Sequence, residues 1–247
     1  MKVLLAIPSF NRPYEIEKKC GFWLKKLEGI DWKLFVRDEQ YLYYAQSIPE
    51  DHLVSINVNS FRETINAIGK YAIDNKYDLV HKVDDDMSFK KLGKAKKTDC
   101  HEVYVESYNE IIKRFFEDPE LFGLSISKPM HHIRNKGTLW TRQNKAMYGN
   151  QFLRSQIMNL PEGVELFDDI YFTLLIHKLG KKTLTYSGAY EDSIMLKNAG
   201  GLQSINRNKL SSETIAIMQT MFLNVKIGNY KGNEDVIDID LKSLNIK

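Results

Sequence analysis

Three consecutive aspartates carry the clearest chemical signal in the chain. Asp84, Asp85 and Asp86 follow directly after residues 78–83, which we predict to form a strand. Adjacent carboxylates repel one another, and this costs free energy unless a cation or hydrogen bonds compensate. Asp84 and Asp86 would point the same way in an extended segment, so they could share a hard divalent ion whose other positions suit phosphate oxygens. An exposed acidic turn is the alternative, but the position at a strand end favours a metal site.

A second signal is a long basic window that contains aromatic residues. Residues 121–161 include no Asp or Glu and carry a charge of +6, whereas the rest of the chain sums to −3. Cations neutralise phosphates and aromatic rings stack on exposed bases, so this window suits a polyanionic acceptor. The lysine cluster in 90–97 is either a solvated face or a grip on a nucleic-acid backbone. We expect the acceptor-binding residues to be Lys128, His131, His132, Arg134, Trp140 and Arg142.

The elements that must position these groups alternate between strands and helices. This order predicts a single α/β domain over residues 1–247, with a mostly parallel central sheet and helices on both faces. Ligands of such sheets bind beyond the carboxyl ends of the strands, where Pro8, Ser9, Asp38 and 84–86 fall. Apolar runs predict strands at 3–7, 33–36, 54–58, 78–83, 122–126 and 182–186, an edge strand at 151–158 and a peripheral strand at 236–241. Helical spacing predicts helices at 13–27, 61–74, 103–117, 168–179 and 212–223.

The composition excludes several classes of protein. With 247 residues, 43% hydrophobic, 27% charged and two cysteines, the chain is typical of a globular protein and not of a disordered or disulfide-rich one. The apolar run 3–7 is too short for a signal peptide or a membrane span, so we expect a cytoplasmic protein without an anchor. No Walker-type phosphate loop is present, and the pair His131-His132 has no further Cys or His at zinc-ligand spacing.

Several motifs, taken in order, resemble those of GT-A-type nucleotide-sugar glycosyltransferases. Residues 4–12, Leu-Leu-Ala-Ile-Pro-Ser-Phe-Asn-Arg, are similar to the first strand and turn of that family. Arg62, Asn66 and Gly69 resemble the helix before the family's metal motif, and 83–86 resembles its D-x-D motif. The resemblance therefore implies a GT-A-like, Rossmann-like fold.

The resemblance extends to residue 186 and divides the chain by task. The acidic helix start 167–169 lies where inverting members of the family keep a catalytic carboxylate, and Gly180 closes that helix. Residues 1–100 would form the nucleotide-sugar-binding half and residues 101–247 the acceptor-binding half.

The resemblance also implies roles for individual residues. Asp86 and Asp84 would hold Mn²⁺ or Mg²⁺ against the donor diphosphate, and Asp84 would also face the ribose. Asp169, with Asp168 beside it, would deprotonate the acceptor hydroxyl as general base, although the helix dipole weakens such a base unless it is buried. The donor, foremost a UDP-sugar, would be bound by Pro8, Ser9, Arg12, Asp38, Arg62, Asp84 and Asp85. Beyond the resemblance, Gly201 and Arg207 could form a phosphate-facing loop over the donor diphosphate.

Two further interpretations concern Asp168 and the metal site. Asp168 could simply be an N-cap, a role that Asp often fills. Many members of the family add a metal-binding His in their C-terminal part, but the last His here is His177. Glu191 or Asp192 could take its place, or Asp86 could hold the metal alone.

The acceptor implied foremost is a hydroxymethylated pyrimidine in DNA. The compact chain resembles the GT-A-type enzymes of the phage DNA-modifying kind, which would act in the host cytoplasm. One alternative is a cytosolic GT-A-type enzyme that acts on a glycan or protein. The other is a metal-dependent nuclease or nucleic-acid-binding module that uses 84–86 directly on a phosphodiester.

Overall fold

The first half of the chain builds four parallel strands. The computed structural model describes residues 1–13, 16, 23–91, 99–129, 138–142, 147, 149–192, 207–222, 227–230 and 233–239. The four strands pair in the order β3-β2-β1-β4, and every pairing among them is parallel. Their bounds are β1 Val3–Pro8, β2 Asp31–Arg37, β3 Leu53–Ile56 and β4 Leu79–Lys82.

The second half continues the same sheet with mixed directions. β6 (Leu121–Ser127) and β9 (Lys182–Asp192) run parallel to each other, and β8 (Gln151–Arg154) lies antiparallel between β4 and β6. Two three-residue strands, β5 (Ser88–Lys90) and β7 (Trp140–Arg142), pair antiparallel with β9. Six of these nine strands therefore run in one direction, which confirms the mostly parallel sheet.

The prediction of an edge strand at 151–158 was wrong. Residues 151–154 form β8 in the middle of the sheet, where its first three residues are buried. The remaining residues turn into a 3₁₀ helix, Ser155–Ile157. An antiparallel strand inserted between parallel ones leaves no signal in its own four residues, because its place depends on its pairing with β4 on one side and β6 on the other.

Helices cover both faces of the sheet, as predicted. Two further 3₁₀ turns, Asp38–Gln40 and Glu50–His52, precede helix α1 (Tyr41–Tyr44) and strand β3, respectively. A separate two-stranded sheet of β10 (Ile227–Tyr230) and β11 (Asn233–Ile239) lies beside helix α5 (Arg207–Met221). None of the helices in the ranges given above is long and apolar enough to cross a bilayer. The helix bounds are α1 Tyr41–Tyr44, α2 Phe61–Asp74, α3 Cys100–Glu117, α4 Asp168–Lys178 and α5 Arg207–Met221.

Alternation along β1 divides the interior into two apolar layers. Val3, Leu5 and Ile7 belong to the layer that α3 covers, whereas Leu4 and Ala6 belong to the layer that α2 and α4 cover. All five side chains are at most 5% exposed. Full burial of each large side chain contributes about 1.5 to 3 kcal/mol, so the two layers fix the central strands and the loops at their ends.

One face of α2 docks the segment that leads into α4. Arg62 Nε donates to Glu165 Oε1 at 2.9 Å, and the Asn66 side chain bonds the Leu160 carbonyl and N–H at 2.9 and 2.6 Å. At Gly69 the helix comes so close that an added Cβ would lie 1.9 Å from the Met158 carbonyl oxygen. The Arg-x-x-x-Asn-x-x-Gly pattern therefore holds residues 158–165, and through them the start of α4.

Gly69→Ala should destabilise the protein strongly. The new methyl group meets a backbone oxygen, so the helix or the 158–165 segment must move, and we expect a loss of about 3 kcal/mol in the free energy of unfolding. Urea denaturation would measure this loss. Gly180→Ala is the control, since Gly180 has a φ of +68° but no atom within 4 Å of an added Cβ, and it should cost about 1 kcal/mol. Equal losses in the two variants would contradict the close packing at Gly69.

Candidate functional site

The carboxyl ends of the parallel strands bring the polar residues of four segments to one edge of the sheet. Ser9 follows β1, Asp38 follows β2, and Lys128 follows β6. The aspartates 84–86 come one residue after β4 ends at Lys82. Open α/β sheets bind ligands at this edge, so the placement agrees with the expected site.

Asp85 points into the protein and is fully engaged there. Its carboxylate, 5% exposed, accepts from Ser9 Oγ at 2.7 Å and from Arg12 Nη1 at 2.6 Å. The Tyr44 hydroxyl closes the group, since it bonds Ser9 Oγ at 2.7 Å and accepts from the Arg12 N–H at 3.0 Å. Burial raises the pKa of Asp85 to about 6, although Arg12 and Ser9 act in the opposite direction. Asp85 thus anchors the loop, and a direct contact with the nucleotide sugar stays a prediction.

Asp84 and Asp86 flank this anchor and remain accessible to solvent. The side chain of Asp84 is 46% exposed and that of Asp86 is 16% exposed. Each has a cation nearby: Lys82 Nζ lies 3.5 Å from Asp84 Oδ1, and Arg12 Nη1 lies 3.6 Å from Asp86 Oδ2. Two accessible carboxylates form the hard oxygen donor set that Mg²⁺ or Mn²⁺ takes together with phosphate oxygens, so these residues fit such an ion.

Lys82 joins the aspartate loop to helix α4. Its side chain is 4% exposed, and its Nζ donates to Asp168 Oδ2 at 2.7 Å. Burial lowers the pKa of Lys82, but the carboxylates of Asp168 and Asp84 outweigh it, so the pKa lies above the ordinary value and the ammonium stays charged. This ion pair spans 86 positions of sequence and ties β4 to the first residue of α4.

The start of α4 presents two carboxylates with different surroundings. Phe167 precedes the helix with a φ of 60°, a conformation that costs a non-glycine residue about 1 to 2 kcal/mol. Asp168 is the first helical residue and is held by Lys82, so the interpretation of Asp168 as an N-cap was wrong. Asp169 is partly buried. Burial and the neighbouring Asp168 raise its pKa above the ordinary value, although Lys82 and Lys128 lower it.

Lys128 forms an ion pair at the end of β6. Its Nζ lies 3.0 Å from Glu191 Oε1, and the Glu191 side chain is 1% exposed. Asn150 fixes the other oxygen of Glu191 by donating from its N–H at 3.1 Å and from Nδ2 at 2.5 Å. The basic residue that we expected on an acceptor surface is therefore anchored to the end of β9.

Comparison with known proteins finds similar structures but no similar sequences. No family model matches the sequence, and a search of curated proteins found no significant match. The chain resembles the mannosyltransferase PcManGT from Pyrobaculum calidifontis, solved with GDP-Man and Mn²⁺, at 13% identity and a TM-score of 0.57, over 89% of this chain and 64% of that one. It resembles GalNAc-T7, solved with UDP, GalNAc and Mn²⁺, at 10% identity and a TM-score of 0.54, over 78% and 44%.

The fold is of the GT-A type. The chain spans less than two thirds of the length of either of these structures. Likeness at 10% to 13% identity establishes the fold alone, so substrates have to be argued from the site of this chain.

Several of the expected site residues have other partners in the structure. Asp38 is exposed and accepts from Ser55 Oγ, whereas Arg62 is paired with Glu165. Pro8 ends β1, and Trp140 packs on Tyr186 with ring centroids 5.0 Å apart. The residues His131, His132, Arg134 and Gly201 lie outside the described residues, and of Arg142 and Arg207 only the backbone is described.

The two candidates for an additional metal ligand are engaged elsewhere. Glu191 pairs with Lys128, and the carboxylate of Asp192 pairs with Lys90. Within the part of the chain that the structure describes, no group of three His, Cys, Asp or Glu residues could hold a metal. A metal here would therefore be bound by Asp84 and Asp86 together with ligand oxygens.

Sequence reasoning missed Lys82, Tyr44 and Asn150. Lys82 did leave a signal, since a lysine inside a strand followed by three aspartates needs a carboxylate partner when it is buried. Tyr44 and Asn150 left none, because each acts through contacts with residues 24 or more positions away.

Asp85→Asn should destabilise the protein far more than the loss of an exposed carboxylate. The Arg12 guanidinium would stay buried without its closest partner, and Asp86 would compensate only in part, so we expect a loss of about 3 kcal/mol in the free energy of unfolding. Asp51→Asn, whose side chain is 77% exposed, serves as control and should change stability by about 0.5 kcal/mol or less. Chemical denaturation at neutral pH measures both, and similar small losses would show that Asp85 does not anchor the loop.

Proposed function

We propose that the protein is a metal-dependent glycosyltransferase that moves a sugar from a nucleoside diphosphate sugar to a hydroxyl acceptor. One observation carries the proposal: in a GT-A-type fold, Lys82 links the accessible Asp84, two residues before Asp86, to Asp168 of α4 at one sheet edge. A donor site and a candidate base are thereby held in a fixed relation. A nuclease would need only the aspartates that bind the metal, so the link to the α4 carboxylates favours the transferase.

Asp84 and Asp86 are the residues that would hold the divalent ion. Their oxygens fit Mg²⁺ or Mn²⁺, and the ion would neutralise the charge of the departing diphosphate. The two similar structures were solved with Mn²⁺ and with GDP-Man or UDP, which supports a nucleotide-sugar donor here. We keep a UDP-sugar as the first donor to test. The Asp85 anchor and the Lys82 ion pair hold the two carboxylates in position.

Asp169 is the proposed general base. It would take the proton of the acceptor hydroxyl while that oxygen bonds the anomeric carbon and the bond from this carbon to the diphosphate breaks. The N-terminal position in α4 favours the charged carboxylate and weakens it as a base. Burial and Asp168 act in the opposite direction and raise its pKa, so Asp169 is a better base than an exposed aspartate would be.

The acceptor that we propose first is a hydroxymethylated pyrimidine in DNA. Support comes from the charge of the 121–161 window, which contains no acidic residue. Lysine and arginine side chains favour binding to phosphates whatever the base sequence. An acidic glycan or protein is the second candidate. A duplex with hydroxymethylated bases, an unmodified duplex and a glycan panel distinguish them, since only the true acceptor should gain the mass of a sugar.

A matching nucleoside diphosphate should stabilise the protein only when Mn²⁺ is present. At 100 times its dissociation constant a ligand adds about 2.7 kcal/mol, which should raise the melting temperature by about 5 to 10 °C. Asp86→Asn should lose this metal-dependent shift, whereas Asp74→Asn on the outer face of α2 should keep it. Thermal melts with UDP, GDP and CDP would measure the shift. Metal-dependent DNA cleavage without any diphosphate effect would instead favour the nuclease.

Asp169→Asn should slow transfer strongly but leave donor binding intact. Without the base we expect kcat to fall about 10²- to 10⁴-fold, with the diphosphate affinity nearly unchanged. The base must be deprotonated, so the rate of the unmodified protein should rise with pH through the pKa of Asp169. Because that pKa is raised, this acid limb should lie above the ordinary aspartate value of about 3.9. Turnover at several pH values tests this, and full activity of the variant would exclude Asp169 as the base.

A further inference from the structure

Lys128 lies at the end of β6, where an ion pair holds its side chain in place. It is the first residue after the strand, and its side chain is 29% exposed while its partner Glu191 is almost completely buried. A surface lysine usually moves between many conformations, but an ammonium 3.0 Å from a buried carboxylate is held in place. The cation is therefore both fixed and accessible.

The residues around Glu191 hold its carboxylate in one position. Asn150 is fully buried, and its side chain bonds both the N–H and the carbonyl of Ile126 on β6 while it donates to Glu191. Gly149 has a φ of +78°, and a Cβ there would lie 2.5 Å from both carboxylate oxygens. The Glu191 carboxylate is therefore packed against Gly149 and bonded by Asn150, and Lys128 pairs with a carboxylate that is held in place.

The same ammonium lies in the electrostatic field of the proposed active site. Burial lowers the pKa of Lys128, but Glu191, Asp169 and Asp84 raise it by more, so the side chain stays charged. The site collects more acidic than basic groups, and an anionic diphosphate that enters it needs positive charge beyond that of the metal. The acidic groups are Asp84, Asp85, Asp86, Asp168, Asp169 and Glu191, and the basic groups are Arg12, Lys82 and Lys128.

We infer that Lys128 binds the diphosphate of the donor and not the acceptor. The inference rests on the proposed function. It assigns Lys128 to the negative charge of the nucleoside diphosphate that leaves in the reaction. Lys82 and Arg12 are less suited to this part, because their side chains are only 4% and 11% exposed and are paired with Asp168 and Asp85. Lys128 has both the anchor and the exposure, and a lysine is well suited to phosphate because its ammonium is a compact charge with three donors.

The test compares affinities for a nucleoside diphosphate and for the matching monophosphate. With the full-length protein and Mn²⁺, calorimetry on Lys128→Met should show a diphosphate affinity lowered roughly 10-fold, the loss expected of one charge-assisted hydrogen bond. The monophosphate affinity should change by less than about 3-fold. Lys128→Arg should restore part of the diphosphate affinity. Lys181→Met, which removes the same charge at the opposite end of β9, should change neither affinity.

A second variant guards against a folding defect. Lys128→Met leaves Glu191 buried without a cation, so the double variant Lys128→Met with Glu191→Gln removes both charges and keeps a side chain that can bond Asn150. It should show the same loss of diphosphate affinity. An unchanged diphosphate affinity in the folded double variant would overturn the inference.

Two further outcomes separate this inference from the proposed function. Weaker binding of duplex DNA to Lys128→Met, with unchanged diphosphate affinity, would show that Lys128 binds the acceptor. This result would overturn the inference but not the proposed function. If the unmodified protein binds no nucleoside diphosphate with Mn²⁺, the proposed function fails, and the inference fails with it.

Discussion

The buried ion pair of Lys82 with Asp168 is the interaction on which the site depends. A lysine that is 4% exposed is stable only while a carboxylate faces it, and loss of either partner would leave a buried charge that costs about 3 to 5 kcal/mol. The pair joins β4 to α4, which are far apart in the chain. Because Lys82 also lies 3.5 Å from Asp84, one ammonium sets the distance between the aspartate loop and the carboxylates of α4.

The side chains of the three aspartates point in different directions and therefore have different contacts. Asp85 turns inward to Arg12 and Ser9, and this leaves Asp84 and Asp86 on the solvent side. Three carboxylates in a row are tolerable because the middle one has a guanidinium and a hydroxyl as partners. The repulsion between the three carboxylates is thus partly relieved within the protein, and the two outer carboxylates are accessible to solvent, where a divalent ion could bind.

Much of the fold could be predicted from the sequence, because β1, β2, β4 and β6 are buried strands, α2 and α3 show helical spacing, and α4 has an acidic start and is followed by Gly180. The shortest strands could not. β5 and β7 have three residues each, and the place of β8 depends on its neighbours. The location of the site could also be predicted, since strand ends hold the ligands of such sheets. Two features of the site depend on contacts between distant segments and could not be predicted. One is which aspartate is buried. The other is that α2 packs on residues 158–165 through Arg62, Asn66 and Gly69.

A crystal of the protein grown with Mn²⁺ and a nucleoside diphosphate would test the central claim most directly. Anomalous scattering locates manganese independently of any interpretation of the ligand. We expect one manganese peak at coordination distance from Asp86 and Asp84, with the diphosphate beside it at the carboxyl end of β4. Manganese or nucleotide bound away from this edge, or no manganese at these carboxylates, would contradict a nucleotide-sugar site there.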